Sequence, residues 1–205
     1  MIRTFPLFLR ALHWLMAAMI LTMLAIGIAM VSSLSDYHDL LAVHRPLGIL
    51  ILVLVVIRLT VRLARPAPRL PEDMPQLIRL AAHASHFLLY GLMFALPLVG
   101  WGMLSAGGYP IVLVGSIHLP PILPHSDAVY AALRPLHTGL AFLLFATFLA
   151  HFGAALAHAL IFRDGVFQTM AFGRGRRASG EDPVVNAAPP PSFPKAAAPT
   201  SLAEG

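Results

Sequence analysis

The sequence contains no cysteine, which excludes disulfides, iron–sulfur clusters and thiolate-ligated haem within this chain. Charge is scarce as well: Asp, Glu, Lys and Arg make up 11% of the 205 residues, against roughly 25% in a soluble domain. Acidic residues are the rarer sign, nine against fourteen basic ones, and none falls inside the long apolar segments identified below. The strand-like alternation of a membrane barrel is missing too. Neither an internal repeat nor a broken helix is evident, so a histidine-lined transporter for metal ions or protons is disfavoured.

What fills the chain instead is apolar: aliphatic and aromatic residues account for 58% of it. About 20 such residues in helix cross a hydrocarbon layer about 30 Å thick. Four segments meet that length: residues 11–34, 40–63, 80–105 and 136–162. The expectation is an all-α integral membrane protein, a four-helix bundle. The first segment follows Arg3 and Arg10 but is longer than the apolar region of a signal peptide, and is read as retained.

The cations sort by side. Arg3 and Arg10 precede the first segment, Arg58, Arg62, Arg65, Arg69 and Arg79 surround the connection from second to third, and Arg163, Arg174, Arg176, Arg177 and Lys195 follow the fourth. Only Arg45 and Arg134 fall on the opposite side. The positive-inside rule then places both termini in the cytoplasm. A pI near 10.4 follows from topology and attraction to anionic lipid, with no need of a nucleic-acid partner. Pro66, Pro68, Pro71 and Pro75 punctuate the middle connection. A long, rather apolar external loop, framed by Gly107-Gly108-Tyr109-Pro110 and Pro120-Pro121-Ile122-Leu123-Pro124, is expected to fold against the outer face. Residues 1–172 read as one membrane domain, and 173–205, rich in Ala and Pro, as a disordered cytoplasmic tail.

Of ten histidines, seven lie in or at the edges of the helices: His13, His44, His83, His86, His137, His151 and His158. Ionisable side chains in a membrane are costly and mark function by default. His137 and His151 are fourteen residues apart, a rise of about 21 Å with both side chains within about 40° of one helix face. His44 is level with His137 outside, and His13 begins the first helix on the side toward which His151 descends. Two pairs follow, although by depth alone His158 is the better partner for His13. His83 and His86 remain candidates for ligation or for contact with haem propionates or quinone. Two facing imidazoles make a poor zinc site, which usually wants four ligands. Haem needs only two axial ligands from the protein, and bundle interiors hold such cofactors.

Arg10-Ala11-Leu12-His13-Trp14, the stretch from His44 through Val56-Ile57-Arg58-Leu59, Ala82-His83-Ala84-Ser85-His86 with Leu96-Pro97-Leu98-Val99-Gly100, and Leu136-His137-Thr138-Gly139 running on to His151 and Ala157-His158 form an ordered set. Together with Gly107-Gly108-Tyr109-Pro110, it resembles the bacterial cytochrome b561 family over residues 4–172. The resemblance implies a multi-pass protein of the bacterial inner membrane with two b haems and axial iron ligands at His13, His44, His137 and His151, paired His13/His151 and His44/His137. It also implies electron exchange with the quinone pool, ubiquinone among its members, and one family type oxidises superoxide at the outer face. An alternative role is a haem-bearing membrane anchor that serves a dehydrogenase or hydrogenase as redox partner. The tail lies outside the family pattern.

Overall fold

A computed structural model describes residues 5–64 and 75–171. The expected tail, Pro66, Pro68 and Pro71, and the cations Arg3, Arg65, Arg69, Arg174, Arg176, Arg177 and Lys195 lie outside the described residues.

Four helices dominate: α1 (Leu7–Ser32), α2 (Tyr37–Leu63), α3 (Gln76–Ala106) and α4 (Asp127–Ala157), the last running on as a π-helical turn, His158–Phe162. All four are long and apolar enough to cross a membrane. The chain is a multi-pass membrane protein. Starts are set locally. Pro6 and Pro75 sit just before α1 and α3, where a missing N–H costs no helical bond. The Ser126 hydroxyl caps α4 by accepting from the Val129 amide, and Asp127 lies in the first turn, where a negative charge favours the helix dipole.

That cap explains the main departure from the expected boundaries. α4 begins nine residues before Leu136, because its amphipathic first turns and Pro135 fall outside a window that scores only apolar length. The external loop adds a small antiparallel hairpin, β1 (Ile111–Val114) with β2 (Ile117–Leu119), turned at Gly115 with φ of +56°, a conformation that favours glycine. As expected, the loop folds back on the helix ends. Ile111 is buried, Trp101 Nε1 donates to the Pro120 carbonyl, and the Ile122 amide donates to Ser105 Oγ.

Neighbours in sequence pack side by side: α1 on α2, α2 on α3 and α3 on α4. The core is a narrow mid-bundle plug of Leu12, Met16, Met19 and Ile20 from α1, Ile51 and Val55 from α2, Leu92, Met93 and Leu96 from α3, and Leu144 from α4. Large apolar side chains such as Val31, Phe87 and Phe142 face outward, as they must where lipid is the solvent. After the π-helical turn, Arg163 (φ +50°) and Gly165 (φ +82°) reverse the chain. The following residues clasp the start of α1. Phe5 donates its amide to the Thr169 carbonyl, Trp14 Nε1 donates to the Met170 carbonyl, and Arg10 donates to the Ala171 carbonyl. The bundle therefore has a terminus side, carrying this clasp, and a hairpin side.

Candidate cofactor site: two storeys of histidine

The stagger of α4 decides the site. Leu144 lies midway between His137 and His151 and is buried in the plug, so the two histidines emerge from the same face above and below it, each about 10 Å away along the axis. On the hairpin side the His137 ring faces the His44 ring of α2, with centroids 6.2 Å apart and planes at 65°. On the terminus side the His151 ring faces the His13 ring of α1 at 6.4 Å and 80°. Two imidazoles sharing one metal from opposite sides have ring centres about 6.2 Å apart, given a metal–nitrogen bond of about 2.0 Å and about 1.1 Å from nitrogen to ring centre. Both pairs meet that distance.

Other observations bear on what such pairs can hold. Among the described residues Nδ1 of His44 is buried without a hydrogen-bond partner, which is costly unless something else engages it. A Cβ at Gly100 of α3 would meet His137 Cε1 at 3.3 Å, so the bare backbone there lets the ring lie against α3. Among the described residues no three His, Asp or Glu side chains converge on a metal-holding point. Donors present in opposed twos suit a group that brings its own equatorial nitrogens, and the residues fit haem.

The terminus side carries more than its pair. His86 of α3 has its ring centre 5.1 Å from that of His151, nearer than the opposed-ligand distance. Its Nδ1 is bonded to the Ala82 carbonyl at 2.6 Å, which directs Nε2 towards the site. His83 turns away, exposed, with Nδ1 on the Arg79 carbonyl at 2.7 Å. His158, the rival partner for His13 by depth, is placed elsewhere. Its Nδ1 is 2.6 Å from Asp164 Oδ2, and its ring packs on Phe162. His158 is itself buried, and the π-helical turn that begins there carries the chain round to Asp164, a distortion that equal-pitch spacing does not foresee.

Two residues escaped the sequence reading. Arg58, expected as one more cytoplasmic cation, is buried at 7% exposure. Its Nε donates to the Tyr90 hydroxyl at 3.1 Å, and a terminal nitrogen donates to the Leu9 carbonyl at 2.9 Å. A signal existed: Arg58 stands inside the 40–63 apolar segment, five residues before its end.

The fold and site define a class: a membrane helix bundle with histidine pairs stacked at two depths. Comparison with known proteins narrows it. A family model for prokaryotic cytochrome b561 matches residues 4–173, and the chain belongs to that family, which binds haem b and serves electron transport. Cytochrome b561 homolog 2 of Escherichia coli (strain K12) is 35% identical over 164 residues, 78% of this chain and 87% of the relative. A protein of Yersinia pestis named probable superoxide oxidase CybB is 30% identical over 133 residues, covering 62% of this chain and 72% of its own. Cytochrome b561 homolog 1 of Escherichia coli (strain K12) is 29% identical over 136 residues, 66% and 77% of the two chains.

Proposed function

We propose that this protein holds two b haems, one between His44 and His137 and one between His13 and His151, and conducts electrons across the bacterial inner membrane to the quinone pool. The terminus side is the cytoplasmic one in this reading, as the excess of Arg10, Arg62, Arg79 and Arg163 over Arg45 and Arg134 requires. The observation that carries the proposal is the pair of ring separations, 6.2 and 6.4 Å, at two levels of one helix face.

Haem supplies one-electron chemistry, and bis-histidine ligation directs it to electron transfer rather than oxygen binding. The chain's own residues do the rest. His44 and His137 are fixed by α2 and α4, with Gly100 giving His137 its room. Leu144, Val55, Met16 and Leu96 exclude water from the interval between the storeys. The clasp on Arg10 and Trp14 holds the first turns of α1, and with them His13.

For the reaction, we read superoxide as the outer electron donor and ubiquinone as the acceptor. Two superoxide anions each give up one electron and become dioxygen, and the two electrons with two protons convert ubiquinone to ubiquinol. Support comes from the similarity to the relative named a probable superoxide oxidase; the hairpin side itself offers few cations to an anion, Arg45 and Arg134 standing beside Asp36, Asp39 and Asp127. Two measurements test this. Purified protein should show a reduced-minus-oxidised b-type spectrum with about two haems per chain, as two ligand pairs in a bundle require. Proteoliposomes should reduce ubiquinone when superoxide is generated outside. A haem-replete protein that is inactive alone but co-purifies with a large dehydrogenase or hydrogenase would instead make it an anchor subunit.

A further inference from the structure

Arg58 presents a problem that its contacts leave unsolved. Its guanidinium stays charged in any protein environment, it is buried, and both of its hydrogen-bond acceptors are neutral, the Tyr90 hydroxyl and the Leu9 carbonyl. Among the described residues no carboxylate pairs with it. Asp164 is engaged by His158 and the Val166 amide, while Asp36, Asp39 and Asp127 stand at the hairpin-side starts of α2 and α4. A buried charge without a counter-charge is expensive.

Its position indicates what the charge acts on. Leu9 is one turn before His13 on α1, and Tyr90 is one turn after His86 on α3, so Arg58 is tied to the two elements that flank the terminus-side pair. Those two bonds set the guanidinium between the turn of α1 that bears His13 and the turn of α3 that bears His86. The hairpin-side pair has an adjacent cation in Arg45, but that side chain is less buried than Arg58 and bonds the Pro110 carbonyl. In a low-dielectric interior the same charge acts much more strongly.

We propose that Arg58 sets the electron-accepting end of the chain: its fixed charge makes the haem held by His13 and His151 the higher in potential of the two. This rests on the di-haem reading given above. A haem held by His13 and His151 would gain its electron beside Arg58, whose positive charge would favour the reduced state. One electron would pass from the haem held by His44 and His137, oxidising that iron as the other is reduced, with no proton moved and no bond broken.

The test is a redox titration of the purified holoprotein as wild type, Arg58→Gln and Arg58→Lys, with haem counted per chain, and repeated in a His44→Ala background to assign the terminus-side haem. Arg58→Gln is expected to lower that haem's potential by at least tenfold in its reduction equilibrium, about 59 mV for a one-electron couple, leaving the other haem unmoved. Arg58→Lys stays near wild type. Selective loss of the terminus-side haem from Arg58→Gln but not from Arg58→Lys expresses the same charge requirement as occupancy. Unchanged potentials in a two-haem Arg58→Gln protein would overturn the proposal, meaning that a haem carboxylate or lipid phosphate neutralises the guanidinium. Equal shifts in both variants, or loss of both haems from both, would reduce Arg58 to a tie between Leu9 and Tyr90. A colourless wild type contradicts the di-haem reading itself, whereas unchanged potentials contradict only the role of Arg58.

Discussion

The two storeys share a ligand chemistry and differ in nearly everything around it. On the hairpin side the pair has a glycine behind the His137 ring and a cation, Arg45, bonded to the Pro110 carbonyl. On the terminus side the pair has a third histidine beside it, a buried arginine tied to Leu9 and Tyr90, and a clasp of three hydrogen bonds joining the chain beyond α4 to the start of α1. One pair of ring distances therefore does not mean one kind of centre. In the proposed di-haem reading the surroundings, not the ligands, would distinguish an entry point from an exit.

The comparison can be broken most severely at the ligands. His44→Ala and His137→Ala should each leave one haem per chain, and the same one, while His13→Ala and His151→Ala should leave the other. Haem quantification with low-temperature spectra of the two remaining bands checks this. His86→Ala should retain both haems. If it loses the terminus-side haem while His13→Ala keeps it, the pairing on that side is wrong.

A smaller and one-sided effect is expected at Gly100. Its Cβ position is already within 3.3 Å of the His137 ring, so Gly100→Val should overpack the hairpin side at a cost of about 1–3 kcal/mol. The outer haem should then dissociate faster on dilution while the inner one is unaffected. Smaller still is the counterpart on the other side. Trp14→Phe removes the bond to the Met170 carbonyl, worth about 1 kcal/mol, and should loosen only the haem held by His13, read as a lower temperature of haem release. Equal losses at both haems in either variant would show that the storeys are coupled through the plug rather than built separately.

Much of this was legible in the sequence, for definite reasons. Lipid imposes a helix length, so four apolar runs mean four spans, and the helical pitch alone sets His137 and His151 on one face. The resemblance chose His151 over His158, and the His151 ring lies 6.4 Å from that of His13. Depth counted along a regular helix could not foresee the π-helical turn that delivers His158 to Asp164. Nor could it foresee Arg58, because a cation near a helix end reads as a topology signal whether it reaches water or turns inward. The start of α4 escaped for a related reason: its first turns are fixed by the Ser126 cap and by the contact of Tyr130 with Tyr109, which an apolar-length window does not register.

The central claim is two bis-histidine centres in one chain, and the ring planes give it a sharp form. Their angles of 65° and 80° predict ferric centres that are both low-spin and strongly anisotropic, as imidazole planes far from parallel produce. Electron paramagnetic resonance of the oxidised, haem-replete protein should show two such signals of equal weight, one vanishing in His44→Ala and the other in His13→Ala. A single low-spin signal, or a substantial high-spin one in the intact protein, would contradict the account.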